Sequence, residues 1–354
     1  MSKTHQAAIT SQKGEALTIT NRPTPSPGPN ELLIEVHALA LNPVDHYQRD
    51  TGVFITEYPT ILGSDVAGII IETGSSTRSA LKRGTRVVAL ASTFFTPGND
   101  YGAFQERVLV KEDTVSVLPE SYSFIEGACF PLAVITAWNG WIWAGLEPTS
   151  ATSSGTRAST SSTGVSEGVL VWGASSSVGT LAVQTAKLMG FTIYATASQR
   201  HHEYILGLGA KRVFDYKDVN VLDQIVSAAR DEGVTIRIGY HAIGDQQLAV
   251  DTLDALRGSD HAKVAIAPIL DPGLKVPDSI ESAFVYAPLD PDELRKRVRL
   301  IFVEWLESKL AAKEVAPSPY AKVVKGGLES VNGALDELKS GVSCMKVVVE
   351  LRGK

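Results

Sequence analysis

The chain has 354 residues, more than one ordinary compact core holds, so two domains are the expected division. Hydrophobic residues make up 44% and charged residues 20%, enough for a large core, while a net charge of −6 without a long basic run argues against nucleic acid or an anionic membrane surface as partner. No apolar run reaches the ~18 residues of a membrane span, and residues 1–20 lack the apolar stretch of a secretory signal, so a cytoplasmic location is the expectation.

The first ~120 residues read as β-rich. Glu31–Ala40, Val66–Glu72, Arg86–Leu90 and Glu106–Val110 are short apolar runs. Prolines and glycines punctuate them, at Pro23, Pro25, Pro27, Gly28 and Pro29 before the first, Gly84 before the third, and Pro97 and Gly98 before the fourth. Short strands with such turn signals predict a partly open barrel. The aromatic run Trp138, Trp141 and Trp143 reads either as a pocket lining or as core. Residues 149–166 carry Ser or Thr at 12 of 18 positions and read as a surface loop.

Beyond that segment the pattern changes. Gly168–Trp172 and Phe191–Thr196 read as strands around a helical stretch, Val178–Gly190. His202–Leu208 and Val221–Arg230 read as helices, and Val234–Gly239 and Lys263–Ala267 as further strands. Strands alternating with helices predict a parallel, doubly wound sheet. A helix at about Asp290–Leu310, another at about Leu328–Lys339 and an apolar strand, Lys346–Leu351, complete the chain. That last strand is expected to return to the first domain.

The strongest chemical signal is Val169-Leu-Val-Trp-Gly-Ala-Ser-Ser-Ser-Val-Gly179. A strand ending at Gly173 and a helix starting near Val178 would aim free amides and a positive dipole end at a pyrophosphate, held by Ser175, Ser176, Ser177 and Val178. Ser176 or Ser177 stands where the usual fingerprint has its middle glycine, and a plain turn in another α/β domain would look alike. The second strand discriminates. It runs through Ser198, Gln199, Arg200 and His201 without the carboxylate that grips an NAD ribose. Ser198 and Arg200 instead suit a 2′-phosphate, which favours NADP(H).

Two cysteines, Cys129 and Cys344, cannot build a four-cysteine zinc site, and of seven histidines only His201 and His202 are close in sequence. No metal is expected.

Leu41-Asn-Pro-Val-Asp45, Leu62-Gly-Ser-Asp-Val-Ala-Gly68, Gly84-Thr-Arg-Val-Val88, Tyr101-Gly-Ala-Phe-Gln-Glu106 and Pro131–Trp138 precede the serine-rich loop. Leu208-Gly-Ala210, Val213-Phe-Asp-Tyr216 and Gly327-Leu-Glu-Ser-Val331 follow it. In this order and spacing, over nearly the whole chain, they resemble the medium-chain dehydrogenase/reductase superfamily. Within its quinone-reductase branch the chain is most similar to the enoyl-reductase-like group that includes fungal trans-acting enoyl reductases. The resemblance implies an α/β chain: a GroES-like β-rich catalytic domain plus a Rossmann doubly wound parallel sheet, with the active site in the cleft between. The implied layout is a GroES-like part at 1–125, a Rossmann NADP-binding domain at 126–287 and a C-terminal segment, 288–354, returning to the catalytic domain. Val44, Asp45, His46 and Tyr47 would line the nicotinamide end, Thr136 would sit near the carboxamide, and Gly173 through Val178 would hold the pyrophosphate. Ser198 to His201 would hold the 2′-phosphate, Tyr216 would pack by the adenosine phosphate, and Val342 and Ser343 would close the site.

Zinc-dependent relatives place Cys where Asn42 stands and a His-Glu pair where Ser64 and Asp65 stand, so the resemblance implies a zinc-independent enzyme. Trans-acting enoyl reductases often carry Lys at the position of Tyr47. His241 replaces the relatives' usual Asp and is expected to pack at a strand end. Tyr47 is a candidate proton donor or oxyanion partner and Asn42 a candidate amide donor, or both shape the pocket while water supplies the proton. The expected reaction is NADPH-dependent reduction of an activated C=C in secondary metabolism, on a small molecule or on an acyl chain held by a carrier protein. A quinone or alkenal reductase and a non-catalytic NADPH-binding protein are the alternatives. A monomer or homodimer is expected.

Overall fold

The computed structural model describes residues 3–91, 93, 95–148 and 166–352. Most of the Ser/Thr-rich segment therefore lies outside the described residues. In chain order the strands and helices begin with β1 (Thr4–Thr10), β2 (Thr18–Pro23), β3 (Glu31–Ala40), α1 (Pro43–Thr51), β4 (Thr60–Ile61), β5 (Asp65–Thr73) and β6 (Arg86–Leu90). There follow β7 (Arg107–Lys111), β8 (Val115–Val117), α2 (Phe124–Gly127), α3 (Pro131–Trp143), β9 (Ser166–Trp172), α4 (Ser177–Leu188), β10 (Thr192–Thr196) and α5 (His202–Leu208). Next are β11 (Arg212–Phe214), α6 (Val221–Asp231), β12 (Val234–His241), α7 (Gln246–Leu256), β13 (Ala262–Ile266) and β14 (Ile280–Phe284). The last are α8 (Pro291–Arg299), α9 (Glu307–Ala312), β15 (Tyr320–Val324), α10 (Val331–Ser340) and β16 (Met345–Glu350).

Two compact units result, one of Met1–Leu132 with Arg295–Lys354, the other of Ala133–Leu294. The divisions fall inside helices α3 and α8, beyond the 125 and 287 that the resemblance implies.

The first unit is built on a seven-stranded sheet in which β3 pairs with β5, β7 and β16, and on a three-stranded sheet of order β2-β1-β4. Leu32, Leu33, Ile34 and Val36 of β3 are all buried, because neighbours cover both faces of this central strand. The pairing with β5 shifts register at Leu33/Ile34 and Val36/Ala38, which bends the strand. The terminal strand β16 lies antiparallel to β3. Its edge neighbour β15, like β1, β2 and α1, is too polar in sequence to stand out as a buried element.

The second unit is a six-stranded, all-parallel sheet of order β11-β10-β9-β12-β13-β14. The order reverses about β9, so the loop after β9 lies at a topological switch point, where such sheets bind ligands. Trp138 and Trp141 are fully buried, and Trp141 Nε1 donates to Thr185 Oγ1 at 2.9 Å. Two of the three clustered tryptophans are thus core.

The helix expected at Asp290–Leu310 is present but is not α-helical throughout. Between α8 and α9 the turn widens to a π-helix over Leu300–Leu306, and Ile301, Phe302, Trp305 and Leu306 become buried. The Phe302 carbonyl also accepts from Ser116 Oγ at 2.6 Å.

Candidate active site

The switch-point loop starts where β9 ends. Gly173 has φ 76°, and a Cβ there would lie 2.5 Å from the Ile243 carbonyl oxygen. At Gly179 a Cβ would lie 2.4 Å from the Gly173 carbonyl oxygen, so both positions require glycine. Ser176 caps α4: its Oγ accepts from Gly179 N at 3.1 Å and donates to the Gly173 carbonyl at 2.9 Å. The hydroxyl standing in for a glycine is therefore a structural cap. Ser177 Oγ is buried without a hydrogen-bond partner. In the first turn the amides of Ser177 and Val178 have no acceptor within the helix. An orphaned hydroxyl, a helix N-terminus and a cradle that admits no Cβ together fit the pyrophosphate of a dinucleotide.

Three strands bring the remaining nucleotide candidates of this unit beside the loop. Gly173 N donates to Thr196 Oγ1 at 2.9 Å, and Ala197 N to the Phe214 carbonyl at 3.0 Å, so β9, β10 and β11 end in register. Ser198 Oγ donates to Tyr216 Oη at 3.2 Å. Arg200 Nε donates to His201 Nε2 at 3.1 Å, and burial with the neighbouring Arg200 holds the His201 pKa below its ordinary value. Asp215 also stands at this corner, where it accepts from the backbone N–H groups of Gln199 and Lys217. Lys217 Nζ lies 5.8 Å from the Tyr216 ring centroid and adds a cation that the sequence reading did not single out. Thr136 lies on α3, where its carbonyl accepts from the buried Tyr240 hydroxyl at 2.8 Å. His241 ends β12 fully buried, and burial lowers its pKa. It packs at a strand end, as expected.

In the first unit, α1 carries the residues expected near the nicotinamide. Pro43 opens the helix, Asp45 Oδ2 accepts from Asn42 N at 2.7 Å, and Gly52 closes it with φ 72°. Tyr47 is half-exposed, its ring 4.2 Å from that of His46. Asp45 turns the other way. It is fully buried, its Oδ1 has no partner, and burial, reinforced by Asp65, pushes its pKa up to about 7. Val342 and Ser343, both partly buried, precede β16, and Val342 packs against the core of this unit.

Asn42 is held on both sides. Its amide nitrogen donates to Asp65 Oδ2 at 2.9 Å, and its amide oxygen accepts from Lys346 Nζ at 2.5 Å. Lys346 Nζ also lies 2.8 Å from Asp65 Oδ2, and Asp65 Oδ1 accepts from Leu132 N at 2.6 Å. Both ends of the Asn42 amide are thus engaged by buried charges. Lys346 escaped the sequence reading because it opens an apolar strand. The signal was there: a lysine between Met345 and Val347 in a run otherwise fit for a core.

Family models match the two units, an alcohol dehydrogenase GroES-like domain over residues 28–120 and a zinc-binding dehydrogenase over 177–260. The chain is 46% identical to the trans-enoyl reductase tndF of Aspergillus flavipes, over 99% of this chain and 100% of the relative. It belongs to the medium-chain dehydrogenase/reductase family. A second relative, the trans-enoyl reductase tazE of Aspergillus terreus, is 42% identical over 84% of this chain and 97% of its own length. Among solved structures, an alcohol dehydrogenase superfamily protein from Novosphingobium aromaticivorans superposes with a TM-score of 0.78 at 19% identity, covering 98% of this chain and 100% of that one, a likeness of fold. This family member is an oxidoreductase with a GroES-like domain and a dinucleotide-binding domain of the NAD(P) type. Among the described residues no helix is long and apolar enough to cross a membrane.

Zinc, named in one family description, does not suit the residues present. Among the described residues no group of three or more His, Cys, Asp or Glu side chains is placed to hold a metal. At the positions of the relatives' ligands, the Asn42 oxygen faces an ammonium and both Asp65 oxygens accept hydrogen bonds. Burial pushes the nearby Cys129 thiol up to about 12, which disfavours the thiolate that zinc requires.

Proposed function

We propose that this family member is an NADPH-dependent enoyl reductase, acting on an α,β-unsaturated thioester whose acyl chain is carried by a partner protein. The observation that carries the coenzyme choice is the Ser198–Arg200–Tyr216–Lys217 corner, where the Asp215 carboxylate is tied to backbone amides. A 2′-phosphate suits hydroxyl and guanidinium donors. The enoyl thioester rests on the two relatives named as trans-enoyl reductases.

The reduced nicotinamide supplies the hydride for the β-carbon of the substrate. The protein orients and stabilises. The start of α4 and Ser177 hold the pyrophosphate, and Ser198 and Arg200 hold the 2′-phosphate. As the β-carbon gains its bond to hydrogen, the C=C electrons move onto the carbonyl oxygen, and a hydrogen bond to that oxygen lowers the barrier. Tyr47, whose side chain is half-exposed beside the His46 ring, is the donor we assign. Asn42, whose amide is held by Asp65 and Lys346, is assigned the role of shaping the site. Water supplies the proton that the α-carbon takes up.

The test is NADPH and NADH oxidation with enoyl thioesters of increasing chain length, run beside small quinones and enals. Thioester turnover with NADPH well above NADH supports the assignment. Faster turnover of quinones than of any thioester overturns it.

A further inference from the structure

We infer that Lys346 is a positioning residue: its buried ammonium is a built-in cation that fixes Asn42, and through it the start of α1, where zinc-dependent relatives use a metal ion. The inference rests on the proposed reductase reading for its kinetic consequence, though not for its geometry.

Lys346 is 2% exposed and Asp65 is fully buried. Desolvating two such charges is expensive, and an apolar pair of similar volume is often as stable, so a buried pair is poor evidence for stability as such. What this pair adds is direction. The Asn42 amide is clamped with its oxygen on the ammonium and its nitrogen on the carboxylate, at 2.5 and 2.9 Å. The flipped amide would set an N–H against the ammonium and an oxygen against the carboxylate, so one orientation is selected. Residue 42 in turn governs α1. Its backbone N–H is held by Asp45, its carbonyl accepts from Asp45 N at 2.9 Å, and Tyr47 lies one turn further.

The cluster joins separate elements of the first unit. Lys346 comes from β16, Asp65 from the start of β5 and Asn42 from the residue before α1, while the other Asp65 oxygen holds the first turn of α3. A fixed ammonium performs the part of a metal ion that requires only charge and direction. Two acceptors already occupy it, and a zinc ion at the same place would need the lysine expelled.

Two kinds of measurement test this. Wild-type protein equilibrated with excess zinc and then dialysed is expected to retain less than about a tenth of an equivalent. One tightly held zinc per chain overturns the inference, whatever the substrate proves to be. For the kinetic part, Lys346→Met combined with Asp65→Asn removes both charges and leaves a neutral amide pair, while Lys346→Arg keeps the charge. The double variant, folded by circular dichroism, is expected to bind NADPH within about two-fold of wild type yet lose at least ten-fold in kcat, about 1.4 kcal/mol of barrier. Lys346→Arg is expected to recover most of that loss. A folded double variant with wild-type kcat makes Lys346 a mere counter-ion and overturns the inference. Should wild type itself reduce no enoyl thioester, the functional reading fails, and the zinc result still decides for or against the built-in cation.

Discussion

The Ser198 hydroxyl donates to Tyr216 Oη at 3.2 Å, tying the end of β10 to the loop after β11 beside the dinucleotide turn. Around that bond stand Arg200 and Lys217, and this is the corner we propose reads the 2′-phosphate. Replacing Arg200 by Ala is expected to weaken NADPH binding by about ten- to a hundred-fold, the worth of a charge-assisted phosphate contact, and to leave NADH nearly unchanged. Ser198→Asp is expected to reverse the preference. Calorimetric titration of both coenzymes checks each variant, and equal losses for NADPH and NADH would count against a phosphate-reading corner.

Gly173 carries the backbone demand of the site. With φ 76° and the Ile243 carbonyl 2.5 Å from an added Cβ, Gly173→Ala cannot keep the turn. The variant is expected to lose at least ten-fold in affinity for either coenzyme, alongside a lower Tm. A fluorescence titration with near-wild-type affinity would refute the tight-turn argument.

Tyr47 offers a hydroxyl without displacing any structural bond of the helix it sits on. Tyr47→Phe is expected to lower kcat by about ten-fold, the value of one hydrogen bond strengthened in the transition state, with little change in KM. If KM rises while kcat holds, Tyr47 only shapes the pocket.

Asp45 makes stability depend on pH in an unusual direction. Burial raises its pKa from 3.8 to about 7, so between these values the folded state holds a proton that the unfolded chain has released. This contribution is fully present below 3.8 and is lost as pH climbs through 7. Asp45→Asn keeps an acceptor for the Asn42 N–H and has no charge to bury. Its Tm is therefore expected to fall less than that of wild type between pH 4 and 7, read by thermal melts across that range. An identical slope in both proteins would show that Asp45 does not titrate there.

Much of this was legible in the sequence, for identifiable reasons. Runs such as Glu31–Ala40 and Val169–Trp172 are buried on both faces, so their apolar character is continuous and visible. The glycines at 173 and 179 announced the dinucleotide turn because no other residue fits there. What escaped were elements whose order comes from tertiary partners. Strands β2 and β15 are edge strands with exposed, polar faces, and α1 is a short polar helix. The π-helical stretch leaves the apolar pattern of Leu300–Leu306 intact while changing its hydrogen bonding. At the site, sequence offers Asn42 as a donor or as a shaping residue, and it cannot show that Lys346, 304 positions away, and Asp65 hold its amide.

The most direct measurement of the central claim is isotopic. NADPH carrying deuterium at the transferable C4 position, incubated with the enzyme and an enoyl thioester, is predicted to give a saturated thioester with one deuterium, on the β-carbon. A saturated product with no deuterium there, or no saturated product at all beside rapid reduction of quinones, would contradict it.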